Sequence, residues 1–572
     1  MRSELLPSSS LSTELREDGE RRRHGAFFTP ALWAAAALGQ LDLELGADWE
    51  QDAVVWDPCC GSGNLTRGRD FPDLLLSTLE PSDLAIAGSA PRHQSALSFV
   101  WDFLGDPRSL PPEVASRLRA AARDGKRLVF IANPPYATAG NLVLGAAKKT
   151  NVASGHTNED MLRAGLGRPS QQLYAQFMYR FSTLAEAHGF SSVSVGLFSK
   201  PSFLTASSFG AFRTFWFGRF RFDSGFLFRA DEFADVSPQW GVSFTLWSEG
   251  ETDLSAALSL DLLKSEPESD TAEPRVLQQI GAKVLYNATG RRANDWARGP
   301  RQAAGSDGIQ LRSGLNVSEA GRGRQLQGHR GWLNNDSNDV YHSARTVWLQ
   351  SGGKSSGQNN AGWFLDQDNF VRSLVLFAAR KAVVGTWVND KDEFLAPRTE
   401  VEQSPEFGTW ARAALVYSAV HPQNTCCGAR GLPYKGVSTD LDNHLFWAAP
   451  DRVAALAEDF GVAALYADAR RPGTTPPALV SALGRPAALD SVGARDCWAL
   501  LQDLLRETMQ ERVDFAVARP ELYSLCWDSG LFQLKDLFSS AHPLLWRELR
   551  QGTSALRAEV AEGVYRFELL LR

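Results

Sequence analysis

Two short apolar runs constrain the fold of this chain most strongly. Residues 53–56 (Ala-Val-Val-Trp) and 128–132 (Leu-Val-Phe-Ile-Ala) are uninterrupted, rich in β-branched and aromatic side chains, and followed by turns that contain Pro or Gly. Runs of this kind predict strands buried on both faces, as in a parallel sheet that is covered by helices. Open α/β sheets place their ligands at the carboxyl ends of the strands, so the two turns are the predicted functional positions.

The turn after the second run is Asn133-Pro134-Pro135-Tyr136. It offers a side-chain amide oxygen, two prolines that leave backbone carbonyls unpaired by the sheet, and an aromatic ring. These groups are suited to holding a planar amino group and stacking the ring that carries it. The tetrapeptide therefore predicts methylation of an exocyclic amine, although a four-residue match alone is weak evidence because Asn-Pro-Pro is also a good turn.

The turn after the first run begins with an acid and contains two closely spaced glycines. Asp57 ends the apolar run, and Gly61 and Gly63 follow in the sequence Asp-Pro-Cys-Cys-Gly-Ser-Gly-Asn-Leu-Thr. Glycines let the backbone approach a ligand closely, and the acid can bind an amine or a hydroxyl. Because Thr66 occupies the third glycine position of the dinucleotide pattern and no Walker lysine is present, the loop favours a nucleoside cofactor without pyrophosphate.

These two motifs and four further segments, in this order, resemble the amino-group DNA methyltransferases that use S-adenosylmethionine, in the gamma-like arrangement where cofactor motifs precede the Asn-Pro-Pro-Tyr motif. The resemblance covers residues 25–247. It implies an α/β fold with a Rossmann-like seven-stranded methyltransferase sheet and a C-terminal α+β target-recognition region. It also implies base flipping, with adenine N6 as the methylated atom, and no metal.

The resemblance assigns roles residue by residue. The segment Gly25 to Pro30 would line the methionine end of the cofactor, with Thr29 as N-cap and Pro30 as first residue of a helix. Glu80 or Asp83 would bind the ribose, and Asp102 would accept from the adenine amine beside an aromatic residue. The implied catalytic residues are Asn133, Pro134, Pro135 and Tyr136, and the implied cofactor-binding residues are Phe28, Thr29, Pro30, Asp57, Cys59, Gly61, Gly63, Asn64, Leu65, Glu80, Asp102 and Phe103.

Three other functions fit parts of the same pattern. Cytosine N4 has an amino group of similar geometry and would use the same tetrapeptide. Protein glutamine methyltransferases share the tetrapeptide, but they are small, and roughly 300 further residues here argue against that activity. A DNA-binding specificity protein without turnover is disfavoured by the intact acid, glycine and Asn-Pro-Pro-Tyr positions.

The pattern continues beyond the tetrapeptide. A helix is predicted over 172–181, a strand over 193–198, and an antiparallel edge hairpin over 220–228 and 242–247 that would close the seven-stranded sheet. The predicted domains are a polar N-terminal extension (1–24), the methyltransferase domain (25–248), an acidic connector (249–275) and a target-recognition and helical region (276–572). Within the last, 331–335 and 351–357 are predicted to be polar contact loops.

Composition sets the class of protein. The chain has 572 residues, 44% hydrophobic and 22% charged, which is typical of a globular protein with two or three domains. No apolar run approaches the roughly 18 residues of a membrane-spanning helix, so we expect a cytoplasmic protein. None of the six cysteines forms a Cys-x-x-Cys pair, and neither a zinc site nor a disulfide framework is predicted.

The charge is unevenly distributed. The net charge is −7, yet residues 290–330 contain eight arginines against three acids. DNA binding depends on a local basic face, not on the total charge. We therefore expect double-stranded DNA as partner, alongside possible restriction or defence-system proteins, with contacts from Arg312, Arg322, Arg324 and Arg330.

Overall fold

The structure is a computed structural model that describes residues 29–136, 155–233, 239–267, 275–286, 291–300, 331–335, 337–351, 362–444, 448, 450–464, 478–483, 489–518, 539 and 541–572. The chain divides into two compact units. The first contains the described residues up to 286 together with 385–392 and 572, and the second contains 291–384 and 393–571.

The first unit is built on a sheet of nine strands in its described part. The strands are β1 (Ala53–Asp57), β2 (Leu74–Thr78), β3 (Leu97–Val100), β4 (Arg127–Ala132), β5 (Val193–Ser199), β6 (Phe220–Arg229), β7 (Gly241–Glu249), β8 (Ala257–Pro267) and β9 (Arg275–Tyr286). Their order is β3-β2-β1-β4-β5-β7-β6-β8-β9. Strands β1 to β5 are parallel to their neighbours in this group, and β7 lies antiparallel between β5 and β6.

Helices cover both faces of this sheet. They are α1 (Ala31–Leu45), α2 (Pro81–Ser89), α3 (Pro112–Arg123), α4 (His156–Arg163), α5 (Leu173–Ala187), α6 (Ser202–Thr205) and α7 (Gly210–Phe217). Every residue of β1 and β2 is buried, as expected for strands with helices on either side. Trp56 and Phe130 pack on one face with α3 and α5, whereas Val55 and Val129 pack on the other with α1. The predicted α/β fold is confirmed.

Local sequence explains where several helices begin and end. Helix α1 is rich in Ala, the strongest helix former, and stops at Gly46, whose φ of 98° most residues cannot adopt. Helices α2 and α3 each carry Pro in the first turn, where a missing N–H costs nothing. Helix α5 extends the predicted helix at its C-terminal end.

The sheet continues beyond the predicted edge hairpin. Strands β6 and β7 pair as predicted, but β6 also pairs with β8, and β8 pairs with β9. The prediction of an acidic connector over 249–275 therefore needs correction, because residues 257–267 form a strand. Leu258 and Leu260 of β8 are buried, whereas Asp261 is exposed, so alternation along the strand places this acid toward solvent.

The second unit contains two small sheets and several helices. Strands β10 (Gly331–Asn335), β11 (Val347–Ser351) and β12 (Trp363–Phe364) form one sheet, in which β10 is central, and β13 (Thr425–Tyr434) and β14 (Val437–His444) form a hairpin. The helices are α8 (Ala293–Arg298), α9 (Val340–Thr346), α10 (Phe370–Ala382), α11 (Thr399–Glu402), α12 (Pro405–Val420), α13 (Pro450–Asp459), α14 (Ala478–Leu483), α15 (Val492–Glu507), α16 (Met509–Ala518) and α17 (Pro543–Arg566).

The core of this unit corrects another prediction. Residues 331–335 were expected to form a polar contact loop, but all five are buried in β10. Hydrogen bonds compensate part of this burial: Asn334 Nδ2 donates to the carbonyl of Thr346 over 2.8 Å, and Asn335 Oδ1 accepts from Arg380 of α10, while Asn335 Nδ2 has no partner among the described residues. Hydrogen bonds of this kind reduce the penalty for burying polar side chains. Residues 352–357 lie outside the described residues.

No helix among the described residues is both long and apolar enough to cross a membrane.

Candidate active site

The predicted functional residues converge at one edge of the sheet. Asp57 is the last residue of β1, Glu80 lies two residues after β2, Asp102 two residues after β3, and Asn133 directly after β4. The parallel arrangement of these strands brings their carboxyl ends together. Acids thus lie on the β1–β2–β3 side of this edge, with the Asn-Pro-Pro-Tyr segment beside them on β4.

A hydrogen-bond chain fixes the amide of Asn133. Its Nδ2 donates to Thr29 Oγ1 over 3.0 Å, and its Oδ1 accepts from the Tyr136 hydroxyl over 2.6 Å. Both bonds determine which way the amide faces. The predicted N-cap role of Thr29 is wrong: Pro30 is the N-cap of α1, without a side-chain bond, and the Thr29 hydroxyl instead accepts from Asn133.

Tyr136 is buried against an aromatic residue that sequence reasoning missed. Only 4% of Tyr136 is exposed, and its ring meets Trp240 edge to face at a centroid distance of 5.7 Å. Burial raises the pKa of Tyr136 well above its usual value, so the phenol is neutral and donates to Asn133. Trp240 directly precedes β7, and no local motif marked it.

Asp57 is a buried carboxyl with little polar compensation. It is 1% exposed, and its Oδ1 accepts from the backbone N–H of Cys59 over 3.2 Å. Loss of water raises its pKa to about 7, against the lowering effect of that hydrogen bond. Burial and the Asp57 charge also raise the pKa of the Cys59 and Cys60 thiols, which keeps them protonated. Both cysteines therefore serve as small uncharged residues of the turn.

The turn itself requires its glycines. Gly61 and Gly63 have φ values of 49° and 79°, which side chains disfavour. A Cβ atom on Gly63 would lie 2.8 Å from Cε1 of His93. The other two positions predicted in this turn differ in burial: Leu65 is buried, and Asn64 is half-buried with its Oδ1 accepting from Ser62 Oγ over 3.3 Å.

His93 supports the turn from behind and was not predicted. Its Nδ1 lies 2.8 Å from the Ala87 carbonyl, which can only accept, so Nδ1 carries the proton. Its Nε2 then accepts from the Thr66 hydroxyl at 3.1 Å. Burial lowers the pKa of His93, which favours this neutral form.

The acids that follow β2 and β3 lie at the carboxyl edge of the sheet but differ in their surroundings. Glu80 is exposed at the N-cap of α2. Asp83, in the first turn of α2, lies close enough to Cys60 for its charge to raise the pKa of that thiol. Asp102 is exposed and accepts from the Leu104 N–H over 3.0 Å. Glu80 and Asp83 thus both lie at this edge of the sheet, at the start of α2.

The predicted role of Phe103 needs correction. Only 2% of it is exposed, and its ring stacks on Phe177 at 5.1 Å and meets Trp56 edge to face at 5.6 Å. Those contacts place Phe103 in the core instead of along a pocket wall. Phe28, Arg312, Arg322, Arg324 and Arg330 lie outside the described residues. Within the described residues, no group of three or more His, Cys, Asp or Glu side chains could hold a metal ion.

Comparison with known proteins adds similar folds but no family. No family model matches the chain, and no curated protein matches it. Similar solved structures include the DrdV–DNA complex, which is 17% identical with a TM-score of 0.28 over 43% of this chain and 28% of that one. Another is a nuclease-deletion mutant of the Type ISP restriction-modification enzyme LlaGI in complex with a DNA substrate mimic, which is 11% identical with a TM-score of 0.30 over 41% of this chain and 27% of that one. A third is a SAM-dependent methyltransferase from Anabaena variabilis, which is 12% identical with a TM-score of 0.23 over 39% of this chain and 86% of that one. The chain thus spans less than a third of the first two structures.

Proposed function

We propose that this chain is an S-adenosylmethionine-dependent DNA methyltransferase that modifies the exocyclic N6 of adenine after base flipping. The observation that carries the proposal is the Asn133 amide, held between Thr29 and Tyr136 at the carboxyl end of β4. An amide oxygen, a proline carbonyl and an aromatic ring at that position suit an amino group on a planar base. The turn that contains Asp57 and the two glycines follows β1, which is the strand next to β4 in the sheet.

The residues around Asp57 fit the proposed cofactor. A buried carboxyl whose pKa is raised by loss of water gains most from a cationic partner, and the methionine ammonium of S-adenosylmethionine is such a partner. Gly61 and Gly63 let the backbone approach closely. Glu80 or Asp83 would accept from the ribose, and Asp102 from the adenine amine. When bound, S-adenosylmethionine supplies a methyl group on a sulfonium, an excellent leaving group.

The chain's own residues would then position the base. As the target amine arrives, the Tyr136 hydroxyl releases Asn133 Oδ1, which accepts one amine hydrogen while the Pro134 carbonyl accepts the other. This favours a pyramidal and more nucleophilic nitrogen. The Tyr136 ring stacks on the flipped base. The nitrogen forms a bond to the methyl carbon as the carbon–sulfur bond breaks, and the methylated nitrogen then loses one proton to water. Because the sulfonium is a good leaving group, no metal and no strong general base is needed, and positioning supplies most of the acceleration.

Substitution of Asn133 and of Tyr136 tests the proposal. We expect Asn133→Ala and Tyr136→Ala each to lower methyl transfer from labelled cofactor to unmethylated DNA by about a hundredfold or more, because both contact the base. Cofactor affinity, measured by calorimetry, should persist in both variants. Near-normal transfer by Asn133→Ala would contradict the assignment.

The identity of the product separates the proposed reaction from its alternatives. Sequencing genomic DNA for modified bases, with and without this gene, should show N6-methyladenine at one sequence context. N4-methylcytosine would establish the second candidate, for which the same amide and carbonyl would serve. Label in protein and not in DNA would favour glutamine methylation.

Sequence selection is proposed to reside in residues 276–572. Of the basic segment, Arg298 pairs with Asp295 at 2.5 Å and Arg291 donates to the carbonyl of Ala396, so these two arginines have structural partners. Arg312, Arg322, Arg324 and Arg330 are the proposed DNA contacts. Replacing all four with Gln should flatten the salt dependence of DNA binding by about one unit of slope for each phosphate that is no longer neutralised. A cytoplasmic location and a restriction or defence-system partner fit this activity and belong to the proposal.

A further inference from the structure

A lysine at the end of β5 contacts the same tryptophan ring that Tyr136 contacts. Lys200 directly follows β5, and its Nζ lies 5.0 Å from the ring centroid of Trp240. Trp240 directly precedes β7, which is antiparallel to β5, so both residues lie at the sheet edge that carries Asn133. Since Trp240 also meets Tyr136, the three side chains form a row along the ends of β4, β5 and β7.

The Lys200 ammonium contacts the ring of Trp240. Among the described residues it forms no hydrogen bond or ion pair, and the described acid whose charge acts on it is Asp390. Burial lowers the pKa of Lys200, as does the nearby positive charge of Lys391, whereas the charge of Asp390 acts in the opposite direction. A half-buried cation without a direct ion pair is costly, and an anion bound at the ammonium would offset that cost.

The position of Lys200 in the sheet indicates which molecule would supply an anion for it. The acids proposed to hold the cofactor follow β1, β2 and β3, on one side of β4. Lys200 follows β5, on the opposite side of β4, with Tyr136 and Trp240 between. An anion bound by Lys200 would therefore belong to the molecule that receives the methyl group and not to the cofactor.

We propose that Lys200 binds a backbone phosphate next to the flipped nucleotide. This inference rests on the proposed function, because a base stacked on Tyr136 brings its phosphodiester with it. A lysine binds phosphate as a compact charge on a long flexible stem, which suits a backbone that arrives from solution. The cation–π contact holds the ammonium in place before DNA arrives.

The salt dependence of methyl transfer tests this role. The measurement is kcat/KM for unmethylated DNA over a range of salt concentrations, for the full-length wild type, Lys200→Gln and Lys200→Arg. Each phosphate contact contributes about one unit to the slope against log salt concentration. We expect Lys200→Gln to lower the slope by about one unit, Lys200→Arg to retain it, and the cofactor dissociation constant to be unchanged in both.

Lys264→Gln is the matched control. Lys264 is exposed on β8 and pairs with Glu266, so its removal should leave the slope as in the wild type. An unchanged slope in Lys200→Gln, with wild-type transfer intact, would overturn the inference while the proposed function stands. Weaker cofactor binding in Lys200→Gln would also overturn it, because the anion would then be the cofactor carboxylate. Absence of methyl transfer to DNA by the wild type would instead refute the proposed function.

Discussion

Asp57 couples the proposed cofactor site to pH. Burial raises its pKa from 3.8 to about 7, so the folded protein holds this proton more tightly than the unfolded chain between those values. The contribution of Asp57 to the free energy of unfolding therefore decreases as pH rises from about 4 to 7 and is constant above 7. Cofactor binding should show the opposite trend, since an ammonium prefers the ionised carboxylate.

We expect the dissociation constant for S-adenosylmethionine to fall by nearly tenfold between pH 5.5 and 6.5 and to level off above about 7.5. Asp57→Asn keeps the shape of the side chain but cannot ionise. Its affinity should be about ten- to a hundredfold weaker than that of the wild type at pH 7.5, and independent of pH. Calorimetry on the two proteins at three pH values makes the comparison. A pH dependence that persists in Asp57→Asn would assign the titration to another group.

The Gly61–Thr66 turn is the element on which that site depends. Gly63 has a φ of 79°, and a Cβ there would lie 2.8 Å from His93 Cε1 and 3.1 Å from Ala87 Cβ. Gly189, between α5 and β5, has a nearly equal φ of 80° but no atom within 4 Å of its Cβ position. The two glycines thus share a left-handed backbone and differ in what a Cβ atom would contact.

Alanine at each glycine separates these effects. Gly189→Ala should cost about 1 to 2 kcal/mol of stability, from the left-handed backbone alone. Gly63→Ala should cost about 1 to 3 kcal/mol more, because His93 must move away from Thr66 and Ala87. Cofactor affinity should fall in Gly63→Ala only. Equal thermal shifts and equal affinities in the two variants would show that His93 does not support the turn.

Strands made of continuous apolar runs can be predicted from the sequence, whereas strands that contain polar residues are harder to predict. Strands β1 and β4 are continuous apolar runs, so their burial follows from composition. Strand β8 lies in a segment whose many acids predict a solvated connector. The alternation of buried Leu258 and Leu260 with exposed residues is a weaker signal in the sequence. Strand β10 was missed because Arg380, the partner of Asn335 Oδ1, is 45 residues away in the chain.

The residues of the candidate active site also differ in how far the sequence predicts them. Asp57 and Asn133 end apolar runs and were found by position, whereas His93, Lys200 and Trp240 carry no local signature. Phe103 was misplaced because an aromatic residue after a strand can face either a ligand or the core, and only packing decides between them.

At the scale of the whole molecule, the first unit includes a distant piece of the chain. Residues 385–392 belong to it, and Asp392 forms a 2.5 Å ion pair with Lys283 of β9, 109 positions earlier. The two side chains are 14% and 5% exposed. Burial raises the pKa of Asp392, while Lys283 opposes that shift. The predicted division at 276 therefore fails to describe this unit, because a fragment cut there loses both β9 and residues 385–392.

Breaking this buried pair should destabilise the full-length chain far more than breaking an exposed one. Asp392→Asn leaves the Lys283 ammonium without its carboxylate and should cost about 3 to 5 kcal/mol. Glu266→Gln removes the exposed 2.7 Å pair with Lys264 on the neighbouring strand and should cost less than about 1 kcal/mol.

The double substitution Lys283→Met with Asp392→Leu should recover most of the stability, because no unpaired charge remains buried. Denaturant unfolding of the full-length variants measures all three effects. If Asp392→Asn costs no more than Glu266→Gln, residues 385–392 do not stabilise the first unit. A fragment ending at 289 would then keep the stability of the first unit, whereas the structure predicts that such a fragment unfolds more readily than the complete chain.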